Sequence, residues 1–109
     1  MSAPDYSYVV GDRLPEVPRT LARPDGSTPD LTGCTVQFKV WAATGGDAVY
    51  RAATLVDGPT ARVNYAPGAG DLATPGLFFA RFVVTFPDSR VESFADDGGR
   101  PIAIQVDRL

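Results

Sequence analysis

Ten prolines and eleven glycines divide this 109-residue chain into short pieces, and none repeats its apolar residues at helical spacing over three turns. Proline removes a backbone donor and glycine interrupts regular runs, so long helices are excluded. The remaining pieces alternate apolar with polar residues and are rich in Val, Thr, Phe and Tyr, as strands are. The chain therefore reads as all-β. Its length suits one domain, which at this size removes roughly two thirds of its unfolded surface from water.

Residues 1–9 read as an N-terminal arm or edge strand and residues 10–109 as the domain proper. Strand character begins at 6–10 and returns at 16–22, where Pro18 indicates an edge or a bulge. In 35–41, Val36, Phe38 and Val40 share one face, with Gln37, Lys39 and Trp41 on the other. Residues 48–56 and 61–66 form a predicted hairpin around Asp57-Gly58-Pro59. The most apolar segment, 77–86, is assigned to the centre of a sheet. Pro87-Asp88-Ser89 turns the chain into 90–94, and Ile102, Ile104 and Val106 alternate on a last strand. About seven antiparallel strands at this spacing predict an immunoglobulin-like β-sandwich. Its expected core is Val36, Phe38, Val40, Phe78, Phe82, Val84, Ile102 and Ile104.

Catalytic chemistry finds few candidates. The chain has no histidine, which removes the usual neutral-pH base and the commonest transition-metal ligand. Cys34 is the only cysteine, so no intrachain disulfide forms, and it reads as a small buried residue rather than a nucleophile. Unpaired cysteine fits a cytosolic or virion-borne protein better than a small secreted domain. Asp96 and Asp97, with Asp88, offer oxygens for calcium, but their spacing matches no calcium loop and Asp before Gly is turn chemistry. Gly68, Gly70 and Gly76 read as turn residues, with no following lysine to make a phosphate loop. No catalytic residue, metal or cofactor is expected.

Ten basic and thirteen acidic residues, interspersed, give a net charge of −3 and make nucleic acid a poor partner. The first eight residues lack the basic and apolar stretches of a secretory signal, and no run approaches the ~18 apolar residues of a membrane helix.

One feature points to binding. Along 77–86, Phe78, Ala80, Phe82, Val84 and Phe86 already supply a core face, yet the opposite face carries Leu77, Phe79 and Val83 beside Arg81 and Thr85. Trp41 has the parity opposite to Val36, Phe38 and Val40, so immunoglobulin topology would bring it to the same outer face. Trp41, Phe79 and Val83, with Leu77 at the margin, are therefore the candidate interface. The competing expectation is that the N-terminal segment or a loop of the same chain covers them.

Gly11-Asp12-Arg13-Leu14-Pro15, Gly26 and the run Asp30-Leu31-Thr32-Gly33-Cys34-Thr35-Val36-Gln37-Phe38 resemble the N-terminal immunoglobulin-like domain of phage baseplate upper proteins. So do Thr74-Pro75-Gly76-Leu77-Phe78, Phe82-Val83-Val84-Thr85-Phe86-Pro87-Asp88 and Val91-Glu92-Ser93-Phe94. Ser89 stands where that family tends to have glycine, Ala95 where a proline is common and Phe78 where a tyrosine is frequent. The resemblance implies a structural protein of a phage virion, a minor tail or baseplate component made in the host cytoplasm. Its partners would be other phage structural proteins in a multi-copy assembly. Two alternatives are a head or neck decoration protein and a carbohydrate-binding or adhesion module, in which Trp41, Phe79 and Lys39 would meet a glycan or host surface.

Overall fold

The computed structural model describes residues 4–13, 15–23, 25–68, 71–94 and 101–108. It contains β1 (Tyr6–Val9), β2 (Val17–Thr20), β3 (Thr35–Ala42), β4 (Val49–Ala52), β5 (Thr54–Asp57), β6 (Arg62–Tyr65), β7 (Gly76–Thr85), β8 (Val91–Phe94) and β9 (Ile102–Asp107). No helix occurs among the described residues. A six-stranded sheet runs β1-β9-β7-β3-β4, with β8 also paired to β7, and a three-stranded sheet runs β2-β6-β5.

The inward parity of each strand explains why the sheets pack. Val36 and Phe38 of β3, Ala80, Phe82 and Val84 of β7, and Ile102, Ile104 and Val106 of β9 meet Val17 of β2 and Val63 and Tyr65 of β6. Phe38 stacks on Tyr65 across the gap with ring centroids 4.1 Å apart, and Phe82 meets Phe38 edge-on at 5.0 Å. Burying each such side chain contributes about 1.5–3 kcal/mol. Tyr8 enters the same core, and its hydroxyl donates to the Pro15 carbonyl at 2.7 Å.

Several expectations need correction. Among the described residues nine strands replace about seven, chiefly because 48–56 is two strands in different sheets, β4 on β3 and β5 on β6. The inward set Val49, Arg51, Ala53 and Leu55 keeps one parity through the crossing at Ala53, so alternation alone reads as one unbroken strand. The pairing is not wholly antiparallel either, since β1 lies parallel to β9, with Tyr6 beside Ile104. β8 and β9 lie end to end along one edge of β7, Phe94 opposite Phe82 and Ile102 opposite Ala80. The expected loop residues Asp96, Asp97, Gly98 and Gly99 lie outside the described residues.

The β5–β6 turn requires its glycine. Leu31 N–H donates to the Gly58 carbonyl at 2.8 Å, and a methyl group at 58 would sit 2.9 Å from Thr32 Cα.

Candidate functional site

The β3–β7 register builds the outer face of the large sheet from the centre outward. It sets Trp41 opposite Phe79, Lys39 opposite Arg81 and Gln37 opposite Val83. On one side β4 adds Tyr50 beside Lys39, and on the other β9 adds Gln105 beside Leu77 and β8 adds Ser93 beside Val83. The three-stranded sheet packs on the opposite face, so these residues point away from the core. β1 continues this face at its edge rather than crossing it, because it pairs with β9 in the plane of the sheet.

Three of the four expected interface residues are accessible. Trp41 and Phe79 are half-buried with ring centroids 6.3 Å apart, a cross-strand aromatic pair, and Leu77 is 39% exposed. Val83 corrects the expectation: it is only 5% exposed, although it stands apart from the core cluster. It occupies mid-sheet between Gln37 and Ser93, flanked by a strand on each side. The parity held, but the position decided the exposure.

Tyr50, 53% exposed, belongs to the same face and was missed by sequence reasoning. Reading 48–56 as one strand paired with 61–66 kept it away from β3, its actual neighbour. Lys39 Nζ lies 5.8 Å from the centroids of both Trp41 and Tyr50, so the ammonium is held between two rings.

Elsewhere the chemistry is structural. Burial pushes the Cys34 thiol up, with the carboxylates of Asp30 and Asp88 adding to the effect, so it is protonated at neutral pH. Asp88 accepts from the Arg90 N–H and side-chain Nε and holds its own turn. Among the described residues, no three His, Cys, Asp or Glu side chains gather to hold a metal ion.

A cavity of about 220 Å³ opens between the sheets, floored by Phe38, Leu72, Ile104 and Val106. It explains a further correction: Val40 and Phe78 line it and are only partly buried. One wall is a polar network in which the Tyr65 hydroxyl donates to Asp71 Oδ2 at 2.6 Å and Arg51 approaches both. Burial first, and then the bond to Asp71, pushes the Tyr65 phenol up to about 12. Burial also pushes the Asp71 carboxyl up, but bonds from Tyr65 and the Gly68 N–H and the charges of Arg51 and Arg13 outweigh it and hold it below its ordinary range. The volume falls short of the ~300–1,000 Å³ of ligand pockets, and the network is internally satisfied.

Compared with known proteins, the sequence matches no family model and no curated protein.

Proposed function

We propose that this chain is an immunoglobulin-like structural protein of a phage virion, a minor tail or baseplate component that binds neighbouring virion proteins through the outer face of its larger sheet. The strand order supports the fold: β2-β6-β5 against β9-β7-β3-β4 corresponds to strands B-E-D against G-F-C-C′ of immunoglobulin domains. One difference is informative. Immunoglobulin domains bury a tryptophan of strand C, whereas here Phe38 takes the core and Trp41 of the same strand faces outward.

The observation that carries the proposal is the Trp41–Phe79 pair, with Leu77 and Tyr50 beside it, on a sheet face that none of the described strands crosses. Aromatic residues are enriched at interface centres, where truncating one costs ~2 kcal/mol or more of binding. A binding rather than a catalytic role is supported by a sequence without histidine and by a cysteine held as thiol. The phage assignment rests on the sequence resemblance.

The test is incorporation into particles. Phe79→Ser should give a folded protein that is depleted from purified particles, while the unaltered chain is detected there in several copies. A head or neck position within the virion would appear in an image of the particle. A second reading, a glycan-binding module, is favoured by the Lys39 ammonium between Trp41 and Tyr50, since sugar sites combine exposed rings with polar groups. Glycan titration followed by Trp41 emission distinguishes it: saturable binding of a glycan, with normal incorporation of Phe79→Ser, would replace the virion-interface reading.

A further inference from the structure

The outer face carries a charge arrangement that is unfavourable in the isolated domain. Lys39 and Arg81 are direct cross-strand partners at the centre of the sheet. Like charges placed opposite each other destabilise a strand pair. Among the described residues, their neighbours on this face are Gln37, Trp41, Tyr50, Phe79 and Val83, none of which carries a carboxylate. Among the described residues neither cation makes an ion pair, whereas Arg23, Arg51 and Arg90 each have one. The chain holds thirteen acidic residues and a net charge of −3, so this cationic centre runs against the sign of the whole molecule.

Resting on the interface reading above, we propose that the partner of this face is an acidic protein segment: apolar side chains seat on Trp41, Phe79 and Leu77 while its carboxylates pair with Lys39 and Arg81. A second copy of this chain in a two-fold pair is disfavoured, because an isologous contact would bring the same two cations face to face. Nucleic acid would meet the net negative charge of the domain. A carboxylate placed over the pair neutralises it directly, and the desolvated rings beside it strengthen that attraction. The guanidinium of Arg81 suits bidentate contact with a carboxylate, and Lys39 is oriented by its two rings.

Trp41 is the only tryptophan, so its emission reports directly on this surface. The probes are the peptide Glu-Asp-Leu-Phe-Asp-Glu and its uncharged counterpart Gln-Asn-Leu-Phe-Asn-Gln, titrated into the full chain. The acidic peptide should shift Trp41 emission with at least about tenfold higher affinity. That preference should fade as salt rises from about 0.05 to about 0.5 M, and disappear in the Lys39→Gln, Arg81→Gln double variant. Circular dichroism of the double variant checks that the fold is intact. Equal affinity for the two peptides would overturn the inference.

Particle incorporation separates this inference from the reading beneath it. Loss of incorporation in both the double variant and Phe79→Ser supports an acidic partner. Loss in Phe79→Ser alone keeps the interface but discards the acidic partner. Normal incorporation of both discards the interface itself, and the inference with it.

Discussion

The two faces of the large sheet are built from the same strands, and on β7 both are apolar, yet they meet different fates. On the inner face, Phe38, Ala80, Phe82 and Val84 are covered by Val17, Val63 and Tyr65 of the small sheet. On the outer face, Trp41, Phe79 and Leu77 keep part of their surface in water beside Lys39 and Arg81. Adjacent residues of one strand are thus either enclosed between the sheets or left partly at the surface. What separates them is the presence of a second layer, not their hydrophobicity.

Substitutions should resolve this contrast, beginning with the inner face. Phe38→Ala removes the ring that joins Tyr65 and Phe82 and should cost about 3–5 kcal/mol, measured by urea unfolding. A loss below about 1 kcal/mol would mean that the sheets are not held at this point.

Alkaline pH probes the same side. Burial is the main reason that the Tyr8 and Tyr65 phenols both lie at about 12. Each folded value exceeds the unfolded value near 10, so the stabilisation is fully present below about pH 10. As pH rises toward 12, the unfolded chain loses these protons first and stability falls. Each unit of difference is worth about 1.4 kcal/mol, so the two together should remove several kcal/mol. Unfolding free energy that stays flat from about pH 10 to about 12 would show that these phenols are not buried as described.

The outer face should respond weakly. Phe79→Ser loses a half-exposed cross-strand ring pair, a cost of about 1 kcal/mol or less in the same unfolding assay. Unfolding of this variant would transfer Phe79 to the core and erase the distinction between the faces.

The smallest effect lies where β7 turns into β8, outside both faces. Ser89 adopts φ 73°, a left-handed conformation that favours glycine, in the turn closed by its own N–H to the Phe86 carbonyl. Ser89→Gly should stabilise by about 0.5 kcal/mol, offset in part by the greater freedom of glycine in the unfolded chain. A clear loss of stability would show that the serine side chain contributes more than its backbone costs.

Much of this was legible in the chain. The alternation in 35–41 and 77–86 located β3 and β7 and separated Phe38 and Phe82 from Trp41 and Phe79, because strand side chains alternate whatever lies around them. The Pro87-Asp88-Ser89 and Asp57-Gly58-Pro59 turns were equally readable, since turn chemistry is local. The split of 48–56 was not, because Ala53 crosses between sheets without a change of parity, and Tyr50 went unassigned with it. Val83 was placed on the right face but with the wrong exposure, which depends on neighbours from two other strands.

The sequence by itself therefore determined that the chain is all-β, where most strands lie and which side chains of β3 and β7 share a face. Only the tertiary structure decided that β1 runs parallel to β9, that two strands occupy 48–56, and that Lys39 stands opposite Arg81 with Tyr50 beside it. The reason is one of range. Dihedral preference and side-chain alternation act over a few residues, whereas partner, register and shading are set by contacts between segments as far apart as Tyr6 and Ile104, which exist only once both sheets have formed.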